Sequence, residues 1–389
     1  MVKVAFLVNF KINRWLGGFN LIVNLINSVN KLKNKKIEIV LIVNRSFNIK
    51  HLKNLNISII KSDLFFNEGI FRKILNKFQI FFLGKSFIYE KFFISKNINI
   101  LSHAQFPLGR KSKVKTFSWI PDFQYFHYPE NFSFKYRILK KINIFMLEKN
   151  SYKIILSSKN AKNDLKKISQ KACKKSVVNS FVYDLVDLKK IISFKKLKKK
   201  YGIKNNFFYL PNQYFIHKNH LFVLKALTRV IKQNRNTGMT IISTGLNNDH
   251  RHPNYFNSIT KFIKLNGLKN NYKYLGIVPY LDMMSLIYHS IALINPSKFE
   301  GWSSSVEQAK SMGKKVILSN ILVHKEQNPN RAKFFQVNNH IELSNILKKE
   351  FLKFNKSYEK KIIKNNYKKL EKRLINFAEN YQKIILKNN

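Results

Sequence analysis

The segment Pro296-Ser297-Lys298-Phe299-Glu300-Gly301-Trp302-Ser303-Ser304-Ser305-Val306-Glu307 holds the densest set of side chains able to do chemistry in this sequence. An apolar run ends near Ile294, and an amphipathic one begins near Ser304 or Ser305. The segment therefore reads as a loop leading from a strand into a helix. Ser304 with Glu307, and Ser305 with Gln308, both have capping-box spacing. Gly313 stands where a helix-ending glycine is expected. The free N–H groups and dipole of such a helix start favour an anion such as a diphosphate. Glu300 can present a carboxylate to sugar hydroxyls, and Glu307 can accept from ribose hydroxyls. The same residues also suit an ordinary capped helix with a solvated loop.

Two further loops hold candidates. Lys218 lies in Leu210-Pro211-Asn212-Gln213-Tyr214-Phe215-Ile216-His217-Lys218, just after a short apolar run. A cation there would oppose the charge of a bound anion. Asp122 follows the run Lys115 to Ile120, where a polar residue past a strand end points toward a ligand.

These loops need a scaffold of alternating elements. Val2 to Val8 reads as a strand, Gly17-Gly18 as a glycine loop, and Phe19 to Val29 as an amphipathic helix. Ile37 to Val43 is the next strand at βαβ spacing, followed by Ile57-Ile60, Ile98-Leu101, Lys115-Ile120 and Lys153-Ser157. Leu188 to Lys200 is Lys-dense and reads as a helix or linker. A second series then begins, with strands at Phe207-Leu210, Met239-Ser243, Tyr272-Leu275, Ile291-Ile294 and Lys315-Leu318. Helices are expected at Leu221-Lys232, Pro253-Leu265, Leu281-Ser290 and Val306-Met312, with Pro253 at a first helical position. Alternation of this kind predicts α/β domains with parallel sheets. The expected division is 1–190, a linker 191–205, 206–360, and a C-terminal helix 361–389 that packs back on the N-terminal domain.

Bulk composition narrows the class. The chain has 389 residues, 45% of them hydrophobic, enough for two packed cores and too apolar for disorder. Its 72 basic and 20 acidic residues give a net charge of +52. One reading is attraction to a polyanion: nucleic acid, an anionic leaflet or a phosphate-bearing substrate. The other is compositional drift, because Lys, Asn, Ile and Phe are abundant together and Lys is spread along the whole chain. Cys173 is the single cysteine, so neither an intramolecular disulfide nor a Cys metal cluster is available. The N-terminus reads as a strand rather than a signal peptide. The most apolar stretch, Phe78 to Phe93, is broken by Lys85, Glu90 and Lys91, too soon for a membrane span. The expected location is cytoplasmic, at or near the inner face of the membrane.

The Pro296-Ser297, Glu300-Gly301, Ala309 and Gly313 pattern resembles the nucleotide-binding signature of retaining glycosyltransferases of family 4. That resemblance implies the GT-B fold: α/β, with two Rossmann-like domains facing across a cleft. The family places a second acid eight residues after the first. Here that position is Gln308, with Glu307 one residue earlier. The family's Arg and Lys, five residues apart on the donor diphosphate, correspond to Gln213 and Lys218. Leu275-Gly276-Ile277-Val278-Pro279 resembles the loop that holds the base through Val278 and Pro279. The segment Ser118-Trp119-Ile120-Pro121-Asp122 to Glu130 resembles the acceptor-side loop, with Pro121-Asp122 where many members have His-Asp. His103 and His127 are the nearest stand-ins for that His. Ser157-Ser158 resembles a loop at the end of the first half.

The resemblance implies transfer of a hexose-type sugar from a nucleoside-diphosphate sugar, with retention. The acceptor would be a saccharide or lipid-linked saccharide, in cell-surface polysaccharide or lipopolysaccharide synthesis. Catalytic candidates are Glu300, Lys218, Asp122 and His103. Donor contacts would come from Gly17, Gly18, Gln213, Lys218, Val278, Pro279 and the stretch Glu300, Gly301, Trp302, Ser303, Ser304, Ser305 and Glu307. Asp122, His127 and Ser158 would face the acceptor. No cofactor and no metal are expected, since no Asp-x-Asp is placed to hold Mg²⁺. Partners would be the donor, the acceptor and an anionic membrane surface, but no specific nucleic acid. Rival readings are a basic nucleic-acid-associated protein, which lacks any zinc-finger or RNP-type motif, and a GT-B sugar-nucleotide epimerase.

Overall fold

The computed structural model describes residues 1–9, 16–48, 52, 56–66, 69–184 and 186–387. The chain forms two compact units, Met1–Val182 with Arg373–Asn389, and Tyr183–Lys372. Each is built on one parallel sheet, as its apolar runs predict.

In the first unit the strands are β1 (Val2–Leu7), β2 (Ile37–Val43), β3 (Ser58–Lys61), β4 (Ile100–Ala104), β5 (Lys115–Ile120), β6 (Lys153–Leu156) and β7 (Ser176–Val178). Their order is β3-β2-β1-β4-β5-β6-β7, every pairing parallel. In the second unit β8 (Phe207–Leu210), β9 (Thr240–Ser243), β10 (Tyr272–Tyr274), β11 (Leu293–Asn295), β12 (Val316–Ser319) and β13 (Ala332–Phe335) run β10-β9-β8-β11-β12-β13, again all parallel. Both are doubly wound orders that reverse direction at one point. In the first unit that point lies between β1 and β4, in the second between β8 and β11.

Central strands are buried on both faces. Phe208, Leu210, Ile241, Ile294 and Ile317 belong to one core with Val223, Leu224 and Leu227 of the helix His220–Gln233. Each such side chain withdrawn from water is worth about 1.5–3 kcal/mol. This burial explains why the strands read as unbroken apolar runs rather than alternating ones.

Several local expectations are corrected. Gly17 and Gly18 lie in the first turn of the helix Leu16–Asn30, not in a loop. A Cβ on Gly17 would meet nothing within 4 Å, so the glycine is not demanded by crowding. Pro253 precedes its helix, which begins at Tyr255 with Asn254 as its cap residue. Of the two readings of Leu188 to Lys200, the helix is the one observed: residues 191–205, expected as a linker between domains, carry the helix Phe194–Tyr201 inside the second unit. Strands β7 and β13 were not expected at all. The last helix, Lys356–Leu386, starts earlier than residue 361. Its first part is tied to the second unit, where the Glu359 carboxylate accepts from Arg331 at 3.0 Å and lies 3.5 Å from the buried Lys314. From Arg373 onward it belongs to the first unit. There the Tyr381 hydroxyl donates to Ser102 at 2.8 Å and Asn380 donates to Asn179 at 3.0 Å.

Candidate active site

The loops that follow β8 and β11 leave the sheet of the second unit at the point where its strand order reverses. Open α/β sheets bind ligands at the carboxyl ends of strands flanking such a point. Both loops are polar and both are pinned to each other. Asn212 Nδ2 donates to Asn295 Oδ1 at 3.2 Å, Asn219 donates to the Pro296 carbonyl at 3.3 Å, and the Lys298 N–H donates to the His217 carbonyl at 2.8 Å. Asn219 turns the chain with a φ of 60°, a left-handed conformation that asparagine tolerates better than most residues. That turn ends the 3-10 segment Ile216–Lys218 and starts the helix His220–Gln233.

Glu300 and Lys218 meet here. The Lys218 ammonium donates to Glu300 Oε1 at 2.7 Å. The Ser297 hydroxyl lies 2.7 Å from the same oxygen and Asn295 Nδ2 lies 3.3 Å from it. All these donors converge on Oε1, and none falls on Oε2. Burial alone would raise the Glu300 pKa. The Lys218 charge, the nearby His324 and the bonds from Lys218 and Ser297 outweigh it, holding the carboxyl down at about 2. The result is a fixed carboxylate held through Oε1, with no hydrogen bond on Oε2 among the described residues.

The helix Ser304–Met312 begins beside this carboxylate. Its capping differs from the capping-box expectation. Ser303 is the cap residue and no side chain caps the first turn. The serine hydroxyls are engaged elsewhere: Ser303 accepts from Asn295 at 2.8 Å, and Ser304 accepts from the Tyr183 hydroxyl at 3.1 Å. The N-terminal amides are thus left without a side-chain cap, the arrangement that suits an anion. Gly313 ends the helix at φ 72°, as expected from sequence, and a Cβ there would lie 2.8 Å from the Asn366 side chain.

The other expected donor-side residues are placed as follows. Glu307 is buried, accepts from Gln327 at 3.3 Å and lies 3.9 Å from Lys310. No hydrogen bond engages the Gln308 amide among the described residues. Gln213 is exposed beside the pinned loop, and Gly301 and Trp302 are half-buried. Val278 is half-buried and Pro279 exposed, in the turn between β10 and the helix Tyr280–His289.

On the first unit, Asp122 is exposed just past β5, and its carboxylate accepts from the Gln124 N–H at 3.0 Å. His103, next to last in β4, has a φ of 53°, a strained conformation for a non-glycine residue. Its ring stacks on Phe6 at 5.2 Å and packs against Trp119, and burial lowers its pKa to about 3, so it is neutral. His127 is tied to the buried Asp164 at 2.9 Å. Ser158 spends its oxygen capping the helix Lys159–Ile168, accepting from Ala161 at 2.9 Å. Both of these residues therefore have structural partners of their own.

Two residues of the site were missed from sequence. Asn295, wholly buried at the end of β11, donates toward Glu300, Ser303 and Ser305 and accepts from Asn212 and Ser297. A polar residue closing an otherwise apolar buried strand is the signal that could have found it. Asn295→Ala would strand several of these buried groups. An expected loss of about 2 kcal/mol follows, read as a lower urea midpoint at unchanged slope.

The second is Arg251, in the loop after β9. Gly245, at φ 140°, lets this loop press onto the loop after β8. A Cβ there would lie 2.5 Å from the Asn212 carbonyl oxygen. The Tyr214 N–H donates to the Leu246 carbonyl at 2.8 Å, fixing the two together. The buried Asp249 then holds the Arg251 side chain, with Nε 3.0 Å from Oδ1. The guanidinium lies over the Phe215 ring at 5.3 Å. Burial, then the Lys218 charge, push the His217 pKa down to about 3, with the Glu300 charge opposing and the Arg251 charge adding to the shift.

Comparison with known proteins agrees with this geometry. Residues 193–369 match the family model described as Glycosyl transferases group 1, nearly all of the second unit. HepE of Anabaena, solved with UDP and glucose, is similar over 100% of both chains at 16% identity and a TM-score of 0.69. A glycosyltransferase from Rickettsia africae is similar over 100% of this chain and 99% of its own, at 17% identity and a TM-score of 0.67. The lipopolysaccharide outer core galactosyltransferase WaaB is similar over 98% of this chain and 100% of its own, at 16% identity and a TM-score of 0.59. Nothing among the curated proteins matches the chain. The fold is that of the GT-B glycosyltransferases, and the second unit matches the group 1 glycosyltransferase family.

Proposed function

We infer that the protein transfers a hexose-type sugar, with retention, from a nucleoside-diphosphate sugar to a saccharide or lipid-linked saccharide acceptor in cell-surface polysaccharide synthesis. The observation that carries this reading is the Glu300 carboxylate: charged, held through Oε1, with no hydrogen bond on Oε2 among the described residues, and set beside a helix start without a side-chain cap. Oε2 accepts from hydroxyls of the donor sugar. The helix amides and the Lys218 ammonium, which has protons beyond the one given to Glu300, meet the diphosphate. Positive charge from the protein stabilises the leaving group, so the proposed chemistry calls on no metal. Gln308, eight residues after Glu300, is the proposed ribose partner in preference to Glu307, whose carboxylate is turned toward Gln327 and Lys310. Asp122 and His103, at the ends of β5 and β4, are the proposed acceptor-side groups.

The Anabaena protein holds UDP, which makes UDP the first nucleotide to test. Calorimetric titration with UDP, GDP, ADP and dTDP should give saturable binding of one of them. Binding of none would remove the support for this reading. Arg251 is the proposed second cation on the diphosphate, supplied from a neighbouring loop where Gln213 offers no charge. Arg251→Ala should weaken binding of the preferred nucleotide by roughly tenfold, the loss of about one charge-assisted hydrogen bond, and Arg251→Lys should recover part of it.

A further inference from the structure

His103 lies near the carboxyl end of β4, one of the two strands that flank the reversal in strand order of the first unit. Ligands of open α/β sheets bind beside such a point. The pairing of β4 with β5 slips by one residue between Ser102 and Ala104, which leaves His103 as the extra residue of a β-bulge. Its φ of 53° belongs to the same distortion. In a regular strand, successive side chains point to opposite faces. Here Ser102 Oγ and His103 Nδ1 meet at 3.0 Å. The bulge brings these two polar atoms together, and such strain persists where the surroundings over-determine it.

The protons of this cluster can be assigned one by one. Tyr381, on the C-terminal helix, is wholly buried, and its hydroxyl donates to Ser102 Oγ at 2.8 Å. Ser102 is wholly buried too. With Tyr381 as its donor, the Ser102 hydroxyl has one acceptor among the described residues, His103 Nδ1. A buried hydroxyl without an acceptor is costly, so the Ser102 proton points at Nδ1. The chain of hydrogen bonds then runs one way, from Tyr381 to Ser102 and from Ser102 to the imidazole. Burial keeps that imidazole neutral, and a neutral ring carries a single proton. With Nδ1 accepting, the proton is on Nε2. No hydrogen bond engages Nε2 among the described residues. Aromatic neighbours hold the ring in this orientation: Phe6 stacks on it, and the Trp119 and Tyr381 rings flank it with centroids at 5.6 and 6.0 Å.

We propose that Tyr381 and Ser102 are positioning residues that fix His103 as the Nε2–H tautomer, which makes it a hydrogen-bond donor to a hydroxyl oxygen of the sugar substrate and not a general base. The tautomer follows from the first unit alone, whereas its use in sugar transfer rests on the function proposed above. The test is a long-range proton–nitrogen correlation spectrum of the full chain, with nitrogen-15 in its histidines, at neutral pH. The His103 signals are those missing from His103→Gln. The expected result is a protonated Nε2 and an unprotonated Nδ1 in the parent. Ser102→Ala leaves Nδ1 without a donor, and Tyr381→Phe frees Ser102 to accept from the ring. In both variants the two nitrogen shifts should move toward each other as the tautomers mix. A protonated Nδ1 in the parent would overturn the proposal, and so would shifts unchanged in both variants. Kinetics supply a second readout. His103→Ala should lower kcat/KM by roughly tenfold, about the worth of one hydrogen bond. His103→Gln, whose amide keeps a donor, should recover most of that loss. Equal losses from the two substitutions are the mark of a base and would overturn the donor role. A parent that turns over no nucleotide sugar would sink the proposed function, while the spectra would still decide the tautomer.

Discussion

Glu300→Gln should lower kcat/KM for sugar transfer on the order of a thousandfold while leaving affinity for the free nucleoside diphosphate within a few-fold of the parent, or tighter. The substitution keeps the size and the Oε1 contacts with Ser297 and Asn295 but removes the charge that Lys218 holds. A hydrogen bond from a sugar hydroxyl to a carboxylate is worth about 1.5–3 kcal/mol, and two such bonds account for roughly three decades of rate. The free nucleotide has no sugar to lose these contacts. Lys218, released from its anion, would have more positive charge to offer the diphosphate. Parallel kinetics and calorimetry check the split. Equal losses in turnover and nucleotide binding would make Glu300 a scaffold residue instead.

Lys218→Met should cost on the order of a hundred- to a thousandfold in kcat/KM, the range for removing one charge-stabilising donor from a leaving group. It should also destabilise the fold by about 3 kcal/mol, because a buried carboxylate loses its cation. The pH dependence gives this second effect a sign. The Glu300 carboxyl sits at about 2 in the folded protein against an ordinary value of 4.5. Its contribution is therefore fully present above about pH 4.5 and is lost as pH falls toward 2. The stability gap between parent and variant should be widest near neutrality and should narrow on acidification through that window. A gap independent of pH would mean that the lost stability comes from packing of the lysine stem rather than from the ion pair.

Much of the scaffold was legible because buried parallel strands are apolar runs bounded by turn residues. β2, β5 and β8 begin and end where their composition says. β7 and β13 escaped because each is short, and neither Ser176–Val178 nor Ala332–Phe335 forms a long apolar run. At helix starts, sequence patterns proved ambiguous. Gly17-Gly18 carries the composition of a loop, yet the apolar periodicity that follows extends the helix back through it. Ser304 and Ser305 have the spacing of capping residues, but Tyr183 and Asn295 reach their hydroxyls instead. Both partners are set by tertiary packing, which local spacing does not encode.

The site divides in the same way. Glu300 could be named from its loop between an apolar run and a helix start, and Lys218 from the resemblance of its segment to the family's diphosphate loop; the structure brings them within 2.7 Å. Asn295 and Arg251 could not. The role of Asn295 depends on five partners drawn from two loops and the first turn of the helix Ser304–Met312. The role of Arg251 depends on Gly245 admitting one loop onto another. Their positions are consequences of the reversal in strand order, which places the loops after β8 and β11 side by side although more than eighty residues separate Asn212 from Asn295 in the chain. His127 and Ser158, taken from the resemblance of their segments to loops of the family, have structural partners in Asp164 and Ala161.

The central claim is that the Glu300 carboxylate and the Lys218 cation act on a nucleoside-diphosphate sugar. Its most direct test is nucleoside-diphosphate release by the purified protein, presented with UDP-, GDP-, dTDP- and ADP-sugars together with membrane-extracted or saccharide acceptors. The account predicts release from one donor class, abolished in Glu300→Gln although that variant still binds the nucleotide. Release that persists at the parent rate in Glu300→Gln, or no release from any donor by a protein that binds none of the nucleotides, would contradict it.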